Sequence, residues 1–518
     1  MVRLSILNRI NRRRDEMRRI FGFLLAMLLI ISSGCAVSEE PEIIENEVVL
    51  GSVPESSVPE DIEITPVQPE SSLSSSEESS GEEPESSSSS SSQPESSSSS
   101  GSSKAESSSS SSSSQSSSSV SSSESTSSAS DSSSESSSSK EESKPEENTS
   151  APVGETKAVW ISYLEYQSIL TGKTKKQFTN SIRSMFANLA EDGFNTVYAH
   201  VRSHSDAMYD SDIFPWSVYC AGTEGKDPGF DPLEIMVMEA HNAGLRIEAW
   251  INPYRIKGST DTSKIAKSSP AYEWLDTDKV VIVNGSGIFY NPADEDVIEL
   301  VVSGVEEIVR NYDVDGIHFD DYFYPTTAES FDKAHYTEYK SSGGNMKLAA
   351  WRRQNVNTLI KEVYSAIKAI DGSCRFGVSP AGNLDNNYNS LYCDVYTWVT
   401  SKGYIDYICP QIYFGFNNKS RPYLTVLDEF SEIITNKNIE LIVGLSAYKC
   451  GAEDTYAGAD GKNEWKNSAD ILARQVTVAR QEKQYGGFAL YRYDSLYNPS
   501  SAVRKAVENE IKNLKKVM

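Results

Sequence analysis

Asp315-Gly-Ile-His-Phe-Asp-Asp-Tyr-Phe-Tyr-Pro325 reads as a short apolar strand that ends in two carboxylates and runs into an aromatic loop closed by proline. Side chains alternate across a β-strand, so Ile317 and Phe319 share one face and Gly316, His318 and Asp320 the other. A strand with polar groups on its inner face and an acid at its C-terminal end is what a parallel barrel presents at its mouth. A surface turn with an Asp-Asp cap is the plainer alternative. The apolar residues directly before the acids argue against it.

Working outward, strand patterns recur at 157–163, 194–201, 245–251, 316–320, 375–379, 405–411, 440–446 and 487–492. Helical patterns fill most gaps, at 175–191, 232–243, 295–311, 347–370, 424–436 and 470–484. Gly193 and Gly244 follow the first two helices, where a C-cap favours positive φ. Eight βα units over roughly 360 residues predict an α/β fold, the (β/α)8 TIM barrel with long loops. A doubly wound open sheet is the alternative, weakened by the lack of a GxGxxG turn after the first strand. Connections after the second, third and fourth strands are long and the αβ returns short, as expected when the βα loops build a site. Residues 279–290, two apolar runs around Asn284-Gly285-Ser286-Gly287, predict an accessory hairpin.

The alternation rule then picks out inward groups: Tyr198, His200 and Arg202; Glu248, Trp250 and Asn252; His318 and Asp320; Arg375, Gly377 and Ser379; Cys409, Gln411 and Tyr413. Several strands agreeing favour a site over one satisfied buried network. Glycoside hydrolysis needs one carboxyl holding a proton and one ionised. Asp320 is the expected ionised partner, with Arg202 and His318 keeping it so. The proton donor stays open between Glu248, Asp321 and Asp494. Glu248 beside Trp250 would be partly desolvated, or it simply pairs with Arg202 or Arg246. Trp216, Tyr254, Tyr322, Tyr324, Tyr413 and Tyr491 offer rings for sugar C–H faces, or pack the loops. Asn252, Arg255, Gln411 and Asn383 are placed to bond hydroxyls.

Not all 518 residues are expected to fold. Residues 37 to about 150 are Ser, Glu and Pro with few large apolar groups, too little buried surface to offset ordering. They hold 24 acids against 3 lysines, a net of −21, so most of the formal charge of −26 lies there. Nothing resembles a basic nucleic-acid footprint. The arginines from Arg9 to Arg19 precede an apolar run over 20–31, too short for a confident span, that ends Ser32-Ser33-Gly34-Cys35. This resembles a lipoprotein signal with Cys35 as the lipidated residue, although Ser32 stands where such signals usually carry Leu; an uncleaved signal-anchor is the alternative. The expected organisation is a signal over 1–35, a disordered tether over 36–155 and a barrel over 156–518. A flexible chain of roughly 120 residues spans about 60 Å, which would lift a barrel off a membrane. The other five cysteines, Cys220, Cys374, Cys393, Cys409 and Cys450, show no CxxC spacing, so neither a disulfide framework nor a zinc knuckle is suggested. No cofactor and no metal are expected, and the barrel is expected to be a monomer.

The runs Phe194-Asn-Thr-Val-Tyr-Ala-His-Val-Arg202, Ala249-Trp-Ile-Asn-Pro-Tyr-Arg255, 315–325, Phe376-Gly-Val-Ser-Pro380 and Asp406-Tyr-Ile-Cys-Pro-Gln-Ile-Tyr413 together resemble the glycosyl-hydrolase-like TIM-barrel family of bacterial lipoproteins, the DigH/YngK type. The resemblance covers 156–500. It implies a (β/α)8 barrel, an extracytoplasmic place on the cell membrane, and action on peptidoglycan glycan strands, including strands stripped of stem peptides. The site positions it implies are Arg202, Asn252, Tyr254, Arg255, Asp320, Asp321, Gln411 and Tyr413. Where such proteins commonly read His-Ala-Trp, this chain has Glu248-Ala-Trp250, so Glu248 is not carried over as a shared acid. A weaker similarity is to the chitinase motif Asp-Gly-x-Asp-x-Asp-x-Glu. Aligned on Asp315-Gly316, it meets His318 for one Asp and Tyr322 for the Glu, so that mechanism, which uses the substrate's own acetamido group, is not supported.

Two other functions fit parts of this pattern. A carbohydrate-binding barrel without turnover would use the same aromatics and hydrogen bonders. A metal-dependent hydrolase would draw on His200, His204, His318, Asp320 and Asp321, but His200 and His204 sit across a strand end and not on one helix face.

Overall fold

The computed structural model describes residues 154–518. The signal, Cys35 and nearly all of the expected tether lie outside the described residues. Eleven strands follow in chain order: β1 (Thr156–Ile161), β2 (Thr196–Arg202), β3 (Arg246–Ile251), β4 (Arg255–Lys257), β5 (Val280–Val283), β6 (Gly287–Tyr290), β7 (Gly316–Phe319), β8 (Arg375–Val378), β9 (Tyr407–Ile408), β10 (Glu440–Ser446) and β11 (Tyr485–Tyr491). Eight of them close into a parallel barrel in the order β1-β11-β10-β9-β8-β7-β3-β2. The fold is the (β/α)8 TIM barrel, and each expected barrel strand is present.

The strand expected over 405–411 is cut to Tyr407–Ile408. Pro410 has no N–H to give a ladder, so pairing stops and resumes only as isolated bridges at Gln411. The hairpin expected over 279–290 is β5–β6. It joins β4 in a three-stranded antiparallel sheet beside the barrel.

Local sequence explains the helices that wrap the barrel. Lys175–Glu191 starts on a capping box, Thr174 with Gln177, and buries Phe178, Ile182, Met185, Phe186 and Leu189 at helical spacing. Pro232–Asn242 starts on Asp231, whose carboxylate accepts from Leu233 and Glu234 N–H, with proline at N1. Gly193 and Gly244 have the positive φ expected of them, 90° and 73°.

Two apolar layers result. Val159, Ile161, Val197, Ala199, Ile247 and Ile317 face the helices. Ala158, Trp160, Tyr198, Trp250, Tyr407, Cys409, Ile442 and Ala489 fill the barrel interior. Burying each large side chain contributes about 1.5–3 kcal/mol, so the interior is a packed floor under the mouth. Gly377 belongs to this floor, because a Cβ there would collide with the Tyr407 ring. Cys220, Cys374, Cys393, Cys409 and Cys450 are all free and buried. Among the described residues no helix is long and apolar enough to cross a membrane.

Candidate active site

Strand register sets the depth of each inward group. Tyr198, Glu248, Gly316 and Arg375 lie level with one another; Trp250, His318 and Gly377 lie one step higher. The next inward step is the mouth, where Asn252, Asp320 and Ser379 end their strands. Asp320 is 7% exposed. Its Oδ1 accepts from the N–H of Asp321 at 2.9 Å and from Nε2 of Gln411 at 3.1 Å. Gln411 also donates to the Ser379 carbonyl at 3.1 Å, which fixes its amide.

Asp321 does not turn away from Asp320 as a regular strand would require. β7 ends at Phe319, the Asp321 N–H turns onto Oδ1 of Asp320, and the two carboxyls interact electrostatically. Burial pushes both pKa values up. For Asp320 the hydrogen bonds from Asp321 and Gln411 and the charge of Arg255 oppose that rise. For Asp321 the charge of Asp320 adds to it and drives the value well above the carboxylate range. Two neighbouring carboxyls cannot both ionise easily. The charge of Asp320 therefore favours the protonated form of Asp321.

Aromatic walls flank the pair. On one side Tyr413 lies 5.9 Å from both Tyr448 and Tyr491, centroid to centroid, and Tyr448 is 6.2 Å from Tyr491. Tyr491 also meets Trp160 edge-on at 6.1 Å. On the other, Tyr163 and Tyr219 pack at 4.9 Å. The Arg255 guanidinium stands 5.4 Å over the Tyr322 ring, and Tyr322 is one of the few exposed large rings, at 42%. Asn252 is nearly buried and its Nδ2 donates to the Ser203 carbonyl at 3.1 Å.

The structure corrects four expected positions. Arg202 is not at the mouth. A register shift between His200 and Arg202 pairs Arg202 with outward-facing Ile251, and such a bulge reverses the alternation. Its guanidinium lies 3.8 Å over the Phe214 ring, against Gly304 of the helix Glu295–Asn311. Glu248 is inward but fully buried below the mouth, where it accepts from the Tyr407 hydroxyl at 2.5 Å. Burial raises its pKa against the charge of Arg375, which replaces Arg202 and Arg246 as its main cationic neighbour. His318 is equally buried. The Trp160 indole N–H donates to its Nε2 at 3.1 Å, which places the imidazole proton on Nδ1, facing the Tyr407 hydroxyl at 2.7 Å. Burial lowers its pKa to about 3, so it is a neutral link in a chain from Trp160 to Glu248 and cannot hold Asp320 ionised by charge. Tyr254 is fully buried and packs edge-on to Phe323 at 6.4 Å.

Other candidates also serve packing. Asp494 sits on the helix Tyr493–Tyr497 and bonds Asn498. Asn383 caps the helix Leu384–Asn389. Tyr324 is buried beside Arg352. His200 stacks on Trp250 at 3.7 Å and His204 bonds Ser203 at 2.9 Å. With His318 bonded on both nitrogens, these histidines do not converge, and no group of three metal-type ligands is found among the described residues. Sequence reasoning missed Trp160, Tyr163 and Tyr448. Alternation from Ala158 would have found Trp160; Tyr448 lies on a 3-10 turn that no strand period reaches.

The family model described as Glycosyl hydrolase-like 10 matches residues 155–458. Glycosyl hydrolase YngK of Bacillus subtilis (strain 168) is 36% identical over 350 residues, 63% of this chain and 66% of that protein. Glycosyl hydrolase DigH of Escherichia coli (strain K12) is 31% identical over 331 residues, 60% of this chain and 74% of that protein. The solved glycoside hydrolase domain of PgaB (BpsB) from Bordetella bronchiseptica aligns at a TM-score of 0.45 and 13% identity, over 71% of this chain and 99% of that one, a likeness that carries no weight for function.

Proposed function

This chain belongs to the glycosyl hydrolase-like 10 family, and on that premise we propose that it is a membrane-anchored glycoside hydrolase that cleaves cell-wall glycan, with peptide-free peptidoglycan strands as substrate. One observation carries the hydrolytic reading: neighbouring Asp320 and Asp321 follow the end of β7 at an aromatic mouth, with Gln411 and the Asp321 N–H both donating to Oδ1 of Asp320. Protonation of a leaving oxygen needs an acid still protonated near neutral pH. Burial and the neighbouring carboxylate give Asp321 that property. Gln411 and Arg255 favour the ionised form of Asp320. The rings of Tyr413, Tyr448 and Tyr491 fit the C–H faces of a sugar. YngK and DigH, both named as glycosyl hydrolases, support the same reaction class. The arginine-flanked apolar leader and Cys35 support lipid anchoring, and the acidic serine-rich segment supports a tether that reaches into the wall layer.

The test is turnover of purified peptide-free glycan strands, followed by mass spectrometry of the products. The expected result is shorter saccharides with wild type and, with Asp321→Asn, loss of cleavage by about 10²–10⁴-fold while strand binding persists. Strand binding with no bond cleavage by wild type would establish the non-catalytic carbohydrate-binding barrel instead, the second reading, which the same aromatic walls serve. Incorporation of a labelled fatty acid, abolished by Cys35→Ala, tests the anchor.

A further inference from the structure

Arg255 opens β4 and is fixed there by pairing with Phe289 of β6. The residue is half-buried, and its guanidinium stands 5.4 Å over the Tyr322 ring at the mouth. A ring face attracts a cation but supplies no countercharge. Nη2 would lie 3.0 Å from a Cβ on Gly258, so the glycine leaves the guanidinium its room.

Neighbouring cations have carboxylate partners: Lys257 has Glu224, Lys449 has Asp454 and Arg492 has Glu165. Arg255 pairs with no carboxylate among the described residues, and its guanidinium donates to no acceptor among them. Asp320 feels its charge but takes its hydrogen bonds from Gln411 and the Asp321 N–H. Asp206, 1% exposed, draws its countercharge from Lys257 and Arg202. A guanidinium stays charged at any working pH, and its planar fork fits a carboxylate through two parallel hydrogen bonds. A sugar hydroxyl accepts one bond and leaves the charge unanswered. A carboxylate satisfies both the fork and the charge.

On the reading of the substrate given above, we infer that Arg255 binds a carboxylate carried by the glycan: the lactyl carboxylate of a peptide-free muramic acid residue. While a stem peptide is attached, that carboxyl is tied up as a neutral amide. Removing the peptide turns it into an anion with two equivalent oxygens. Arg255 is then the specificity-determining residue that prefers stripped strands, because the amide offers its fork one oxygen and no charge. The Arg255 charge also favours ionised Asp320. A loss of activity on removing Arg255 would therefore not identify the carboxylate. The affinity ratio between two strands that differ only in that group does, because effects common to both strands cancel.

The test uses the full chain in detergent, carrying Asp321→Asn so that no bond breaks during titration. The probes are peptide-free strands with free lactyl carboxylates and the same strands with those carboxylates converted to methylamides. With Arg255 present, the free-acid strand is expected to bind about tenfold or more tighter than the methylamide. With Arg255→Met the ratio is expected to fall to about one, and Arg255→Lys, which keeps the charge but not the fork, to lie between. A ratio near one with Arg255 present, or a ratio undiminished in both Arg255 variants, would overturn the inference. If that ratio is near one while the chain with Asp321 intact still cleaves strands, the hydrolase reading stands alone. If the ratio holds as expected but that chain cleaves neither strand, the hydrolase reading falls and the carboxylate site remains.

Discussion

Nε2 of Gln411 donates to Oδ1 of Asp320 across 3.1 Å, and that amide is itself held by the Ser379 carbonyl. A donor aimed at a carboxylate favours the ionised form, so removing it raises the pKa. A hydrogen bond to a charged group contributes about 1.5–3 kcal/mol, about one to two pKa units. For Gln411→Leu the acidic limb of kcat/KM is therefore expected to move to higher pH by about one unit. A pH–rate profile on glycan strands checks this, and an unmoved limb would mean that Asp320 is not the group that must be ionised.

The two acids are expected to respond differently to the leaving group. Asp321→Asn removes the proton donor, so its deficit shrinks when the sugar is replaced by an acidic phenol that departs without protonation. Asp320→Asn keeps its deficit on both substrates. Steady-state kinetics of the two variants on strands and on aryl glycosides decide it; equal rescue of both would reverse or erase the assignment.

His318 makes the fold acid-sensitive. Its folded pKa, lowered by burial from 6.5 to about 3, lies below the unfolded value. The unfolded chain therefore binds the proton first. The stability is fully present above the unfolded value and is lost as pH falls from 6.5 toward 3, by on the order of 4 kcal/mol at the lower end. Urea titrations across that window are expected to show this loss, and His318→Gln to flatten the slope between pH 6 and pH 4.

Arg202 and Gly304 form one packing unit outside the mouth. A Cβ on Gly304 would collide with the Arg202 guanidinium and lie 2.6 Å from the Phe214 ring. Gly304→Ala is expected to cost about 1–3 kcal/mol by overpacking. Arg202→Met is expected to change stability while leaving the pH profile and KM of the folded fraction unchanged. A shifted acidic limb in Arg202→Met would return Arg202 to the site.

The barrel was legible because each strand announces itself by a few β-branched and aromatic residues between turn signals, and each helix by its capping residues and apolar spacing. The inward place of Asp320 was legible for a related reason. Asp320 follows an apolar strand in phase, and Gln411, two residues beyond Cys409, keeps that phase past Pro410. Arg202 was misread because one extra residue at Val201 reverses a strand's facing, and nothing in the local sequence marks that bulge. Asp321 was expected to point away, because the strand period says nothing about a strand's last turn.

The sequence by itself determined the strands, the helices and, with one exception, which side chains point inward, because alternation and helical spacing are local properties of the chain. Only the tertiary structure decided depth. Glu248 and Asp320 are both inward, yet the stagger between neighbouring strands sets Glu248, level with Gly316, in the packed floor and leaves Asp320 at the mouth. That stagger comes from closing eight strands at once, so no single strand contains it. It is also what brings Gln411 from a distant strand onto Asp320.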